Sequence, residues 1–334
     1  MAGPLLRTAL RGSLARIRHV APVRPGRAGA EVAGVYAEVE REFGMLAPPV
    51  ALHAPAPPVL AATWVMLRET LVAAGRVDRA AKESVAAAVS RANTCPYCVE
   101  VHTTAVGALG PAVAPADRSR LAAWAAGEGA APFPAEHAPE LVGVAVTFHY
   151  LNRMVSVFLE DSPLPPGAPP PARRAARALL GRFVRQSALA APSPGASLDL
   201  LPGSRLPADL SWAAGTPSVA GAFARAAVAM ETAGERSVPE PVRNLVVAEL
   251  ADWDGRPPGL GRGWGETAVA TLPADSRPAG RLALLTAKAA YQVDDGVVAD
   301  FRRTAPGDRA LVELTAWASL TAARRLGTRL AGET

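Results

Sequence analysis

The sequence predicts an all-α protein, and three observations lead there. It is rich in alanine, leucine and arginine, which favour helices. Its apolar residues recur at helical rather than alternating intervals. Its 32 prolines and 29 glycines punctuate those stretches or fill linkers. With 50% apolar, 5% aromatic and 19% charged residues the chain is globular, and 334 residues leave room for two domains.

Taken in order, residues 1–30 carry no acidic side chain and set Leu6, Leu10, Leu14 and Ile17 among Arg7, Arg11, Arg16 and Arg18, the pattern of a basic amphipathic helix. Such an arm touches a membrane surface, acts as a transit peptide, or docks on a neighbouring domain or subunit. One serine and a short apolar face favour docking. A helix is expected over 31–43, a break at Ala47-Pro48-Pro49 and Ala54 to Pro58, and a helix over 60–74 that Gly75 ends. A helix over 78–93 follows, and a second one starts at the motif below and stops at Gly110-Pro111. Residues 115–126 read as a helix with proline in its first turn, 127–134 as a loop, and 139–159 as the last core helix of a domain spanning 31–165. The proline-rich stretch 161–171 reads as a stiff linker, followed by a helix over 172–186 and a second break over 191–204. A further helical region, 205–334, gathers from about Val219.

Net charge is +5, from 35 basic and 30 acidic residues, and no lysine run or aromatic-basic pattern concentrates it, so nucleic acid is not implied. No apolar run reaches the roughly 18 residues of a transmembrane helix. The expectation is a soluble, cytoplasmic protein. Two cysteines at redox spacing suit a reducing compartment better than a secreted framework of several bridges.

Those cysteines lie in Arg91-Ala-Asn-Thr-Cys95-Pro-Tyr-Cys98-Val-Glu-Val-His102. Thr94 is expected to cap a helix that begins here, and Pro96 suits its first turn. On that helix Cys95, Cys98, His102, Ala105, Val106 and Leu109 share the inward face, while Glu100, Thr103 and Gly107 lie away from it. Cys98 and His102 are i, i+4 neighbours with Cβ atoms about 5–6 Å apart, within reach of thiol proton transfer. A thiol of a C-x-x-C pair at a helix N-terminus commonly has its pKa lowered from about 8.5 to about 3.5–7.5. The thiolate attacks peroxides or disulfides, and a sulfenic acid at Cys98 would condense with Cys95 one turn away. Glu83, on the preceding helix with the small residues Ala86, Ala87 and Ser90, is placed to orient His102.

Glu83, eleven intervening residues, Cys95-Pro-Tyr-Cys98, three more and His102 closely resemble the E-x11-C-x-x-C-x3-H signature of the alkylhydroperoxidase D group, within the carboxymuconolactone decarboxylase-like superfamily. The resemblance implies an all-α fold and thiol peroxidase activity, with Cys98 peroxidatic, Cys95 resolving, and Glu83 with His102 as proton relay. It also implies a hydroperoxide substrate, a dithiol reductant such as a lipoylated adaptor protein, and a homo-oligomer. The well-studied branch has a histidine where this chain has Tyr97. The run Phe148-His149-Tyr150-Leu151-Asn152-Arg153-Met154 also resembles the segment that follows the motif in peroxidase-related relatives.

Other readings stand beside this one. Cys95, Cys98 and His102 could ligate zinc with Glu83 or His149 as fourth ligand, though structural zinc favours four N or S ligands, so neither metal nor cofactor is expected. The cysteines could be inert core residues. In function, the alternatives are a carboxymuconolactone decarboxylase-like lyase and a non-enzymatic redox-sensing scaffold. His149 reads more readily as a bonded core histidine than as a cavity group. Finally, 205–334 resembles a degenerate second copy: Gly234 matches Gly75, Arg243 stands for Glu83, Gly255 and Pro258 for the cysteines, and Arg262 for His102, with Tyr291 matching Tyr150 across a longer gap.

Overall fold

The structure is a computed structural model. It describes residues 11–110, 115–164 and 167–332, of 115–117 the backbone alone. No strand occurs among the described residues, so the chain is all-α as expected.

Helices α1 (Ala30–Glu42), α2 (Pro48–Ala51) and α3 (Pro57–Leu67) come first, and α3 continues into a π-helical stretch, Arg68–Val72. The chain breaks here as expected, at 43–47 and 52–56, but the prolines start the next helices rather than lying within the breaks. Pro48 and Pro57 occupy first turns, where a missing N–H leaves no helical bond unmade. Gly75 lies beyond the helix end, and its role is spatial: a Cβ there would sit 2.1 Å from Glu140 Oε2. That carboxylate accepts from the Arg76 N–H at 2.8 Å and pairs with Lys82 at 2.7 Å.

Helix α4 (Arg79–Ala92) is capped by Asp78, whose side chain accepts from the Ala80 N–H at 2.6 Å. Then come α5 (Pro96–Leu109), α6 (Pro115–Ala125), α7 (Ala138–Phe158) and α8 (Pro170–Ala190), the last starting inside the expected linker. Helix α7 is buried on every side, as a helix apolar all round must be. Residues 135–158 are long and apolar enough to cross a membrane, yet 94% of their qualifying 18-residue window is buried inside the fold.

The remaining helices are α9 (Pro217–Ser237), α10 (Glu240–Ala251), α11 (Gly263–Ala270), α12 (Arg277–Ala289), α13 (Asp295–Thr304) and α14 (Asp308–Gly332). Helix α14 packs along α7 and α9 along α3, so one continuous apolar core joins the two parts. Gly234 lies inside α9 rather than between helices, where a Cβ would meet the Trp317 ring of α14 at 2.2 Å. Arg243 donates to the Val238 carbonyl and Arg262 to Asp294, so these positions do not repeat the contacts of Glu83 and His102.

In the N-terminal arm, Leu6, Arg7 and Leu10 lie outside the described residues. From Gly12 to Arg16 the chain forms a 3-10 turn rather than an α-helix. Tertiary contacts override the helical period there. Leu14, Ile17 and Val20 are buried, Arg11 pairs with Glu40 on α1 at 2.7 Å, and Arg18 pairs with Asp295 on α13 at 2.9 Å.

Candidate active site

Helix α4 ends in a Schellman turn: the Thr94 N–H donates to Arg91 O and the Cys95 N–H to Ser90 O, each at 3.0 Å. Thr94 supplies the left-handed residue at φ 53°. Its side chain is exposed and does not cap α5; Cys95 holds the cap position, with no side-chain bond. The expected cap fails because the residue that closes one helix is one position short of the cap of the next. Helix α5 therefore starts at once, with Pro96 in its first turn as expected. Cys95, Cys98, His102 and Ala105 are buried and Thr103 and Gly107 exposed, as the spacing predicts, while Val106 and Leu109 of the expected inward face, and Glu100 of the outer one, are half-buried.

Glu83 on α4 and His102 on α5 meet as expected: Nδ1–H donates to Oε2 at 2.6 Å. Arg79 Nε–H donates to the other carboxylate oxygen at 2.9 Å. Burial pushes the Glu83 carboxyl up, but Arg79 and His102 outweigh it and hold the group below its ordinary range. The His102 ring stands edge to face on Phe148, centroids 4.4 Å apart. With Nδ1 engaged, Nε2 is the nitrogen available to the cavity beside it.

Cys98 departs from expectation. Burial first, and then the neighbouring Cys95 thiol, push its pKa well above the ordinary thiol value, while the Asn152 amide pulls the other way. Loss of water and the Cys95 sulfur outweigh the Asn152 amide. No hydrogen bond links Cys98 to His102 among the described residues; both face the same cavity instead.

Asn152 belongs to a polar network inside the otherwise apolar α7. Its Oδ1 accepts from Asn93 Nδ2 at 3.0 Å and its Nδ2 donates to Ser90 Oγ at 3.1 Å, which fixes the amide's orientation. Asn93 also meets His149 Nδ1 at 3.0 Å. Arg153 donates to His149 O at 2.6 Å and to Ala287 O on α12 at 2.8 Å, and lies over the Trp253 ring. Burial brings Arg153 down to about 9, and burial with Arg153 nearby holds His149 well below its ordinary value. His149 is thus a neutral core histidine and does not line the cavity. Sequence reasoning passed over Asn152 and Ser90 as site residues; the available signal was a consecutive Asn-Arg pair inside an apolar helix.

The cavity has a volume of about 420 Å³. Cys98, Tyr97 and His102 lie on one wall, and Cys95 is not among the lining residues. Burial keeps the Tyr97 phenol protonated, its pKa raised first by loss of water and then by Cys98. No cluster of three or more His, Cys, Asp or Glu side chains suited to a metal ion occurs among the described residues.

The sequence profile of the carboxymuconolactone decarboxylase family matches residues 58–132. The chain is also 41% identical over 329 residues to alkyl hydroperoxide reductase Rv2159c of Mycobacterium tuberculosis, covering 93% of this chain and 94% of that protein. The chain belongs to the carboxymuconolactone decarboxylase family. No solved structure matches it. Within the family-matched residues lie Glu83, both cysteines and His102, from α3 through most of the loop after α6. The arm, α7 and α8, which supply Asn152 and much of the cavity wall, lie outside them.

Proposed function

We propose that the chain is a thiol-dependent hydroperoxide reductase with Cys98 as peroxidatic and Cys95 as resolving cysteine. Cys98 sulfur attacks the terminal peroxide oxygen, an S–O bond forms and the O–O bond breaks, and two electrons pass to the leaving alkoxide. The thiol proton travels by way of His102, steadied by Glu83, to that alkoxide, releasing an alcohol. The Cys95 thiol then attacks the sulfenic sulfur, forming the disulfide and releasing water. An external dithiol restores both thiols by two exchange steps and leaves oxidised. A slender donor such as a lipoyl group on an adaptor protein suits this scheme, because Cys98 is the sulfur that faces the cavity.

The observation that carries this reading is the 2.6 Å bond between buried Glu83 and His102, with His102 and Cys98 opening on one cavity and Cys95 behind. The name of the Mycobacterium tuberculosis relative supports it. The family's own name supports a decarboxylase-like lyase as second reading. A redox-sensing scaffold without turnover is the third. The test is peroxide consumption with a lipoyl or small dithiol donor, run on the wild type and on Cys98→Ser. Loss of turnover in the variant is expected; equal rates would reject Cys98 as nucleophile. A lyase would survive alkylation of both cysteines, a peroxidase would not. The reading further includes a cytoplasmic homo-oligomer whose 205–334 region is a degenerate copy that kept its helices and lost the redox residues.

A further inference from the structure

We propose, resting on the peroxidase reading above, that the site selects hydroperoxides carrying a long hydrocarbon chain, and that the selector is a roof built by the N-terminal arm and α8. The cavity at Cys98 is far larger than hydrogen peroxide requires: a water needs roughly 10–15 Å³ of such space, against about 420 Å³ present. Its interior is apolar, with Leu67, Leu71, Leu151 and Val155 on the floor and Leu179, Leu180 and Phe183 of α8 above. The charged lining groups are engaged where the roof meets solvent. Arg16 of the arm donates to Pro163 O at 2.7 Å, and Arg177 of α8 pairs with Glu100 of α5 at 3.0 Å. Thr104 donates to the Glu100 carbonyl at 2.7 Å, so beyond the sulfur, the imidazole, the Tyr97 phenol and Ser13 the wall is mainly hydrocarbon, the recognition chemistry of an alkyl tail.

The roof is fitted to the floor. A Cβ at Gly181 would lie 2.9 Å from Ala108 Cβ, so a glycine there lets α8 lie close on α5. Gly44, at φ 91°, turns the chain beneath Phe183. Arm and α8 both lie outside the family-matched residues 58–132. The reaction centre and the selector are thus separate parts of the chain.

The test is hydroperoxide reduction by the full chain with dithiothreitol as donor, over hydrogen peroxide, tert-butyl hydroperoxide and straight-chain alkyl hydroperoxides of increasing length. Binding of the matching unreactive alcohols is measured by calorimetry. Each added methylene is expected to raise kcat/KM and alcohol affinity about three- to fourfold until the cavity is full. Leu180→Trp, which occupies the cavity from the roof, is expected to lower the long-chain to hydrogen peroxide ratio of kcat/KM about tenfold or more. Linoleic acid hydroperoxide and its methyl ester are expected to agree within about threefold, since apolar burial makes no use of the head group. A flat length series with turnover that still depends on Cys98 overturns the selector and leaves the peroxidase reading standing. A strong preference for the free acid overturns recognition by the tail alone. Length-dependent alcohol binding without Cys98-dependent turnover of any hydroperoxide overturns the peroxidase reading on which the proposal rests.

Discussion

Burial and the Cys95 sulfur both favour the protonated Cys98 thiol, and the Asn152 amide is the neighbour that favours the anion. Asn93 and Ser90 hold that amide with its NH₂ group turned inward. Asn152→Asp keeps the shape, removes the donor and adds a negative charge. Alkylation of Cys98 by iodoacetamide at pH 8, followed in a Cys95→Ser background, is expected to slow about tenfold or more, one pKa unit being a factor of ten. An unchanged rate in a folded variant would remove Asn152 from the chemistry of the sulfur. Acid stability is also decided by single residues. His53, brought down to about 3 by burial, and His149, lowered by burial and Arg153, are neutral in the fold. The unfolded chain takes up their protons first as pH falls below about 6.5, so stability declines from there downward. Glu83, raised by burial but lowered on balance by Arg79 and His102, adds stability that is complete above its ordinary 4.5 and is lost as pH falls through the lower folded value. The urea midpoint is therefore expected to drop steadily below about pH 6.5. A midpoint constant down to pH 4.5 would contradict the buried, neutral state of both histidines.

At the scale of elements, two tight joints position the site. The first is the Schellman turn, where Thr94 accepts a left-handed conformation that costs a non-glycine residue about 1–2 kcal/mol. That turn brings Glu83 and His102 face to face on consecutive helices. The second joint is Gly75, which makes room for Glu140 of α7 against Lys82 of α4, both side chains 2% exposed. Burial pushes the Glu140 carboxyl up, yet Lys82 and the loop amides hold it below its ordinary range. Gly75→Ala would drive the carboxylate aside and leave Lys82 buried without its partner. The expected loss is about 3–5 kcal/mol, the cost of breaking a buried ion pair, read from the denaturant midpoint. A loss under about 1 kcal/mol would mean that the carboxylate swings away freely.

Over the whole molecule, the redox helices do not stand alone. Helix α7 carries Asn152 on the site and lies against α14, while Arg153, one residue on, is held by the Ala287 carbonyl of α12. Removing residues 205–334 would strip the cover from α7 and α3 and leave Arg153 without that acceptor. Such a truncated chain is expected to aggregate on size-exclusion chromatography, since apolar faces of this extent do not stay exposed. A soluble and fully active 30–165 fragment would show instead that the second part is dispensable to the first.

Spacing alone put Glu83 opposite His102, and put Cys95, Cys98 and His102 on one buried side, because helical periodicity is a local property and the motif spans only two consecutive helices. The rough limits of seven helices up to residue 190 were legible for the same reason, whereas the six described from Pro217 onward were foreseen only as a helical region. The prolines at 48 and 57 marked the breaks but not where the helix resumes, because a proline ending one stretch and a proline starting the next look alike in a string of residues. The protonation of Cys98, the exposed Thr94 side chain, the Asn152 network and the roofed cavity were decided only by tertiary structure. Each depends on how much water is excluded and which distant segment does the excluding: Ser90 beside Asn152, Arg16 beside Pro163, Leu180 and Leu71 lining one cavity. Local sequence determines which face a side chain takes; only the packed whole determines what medium that face looks into, and so what charge a sulfur there can carry.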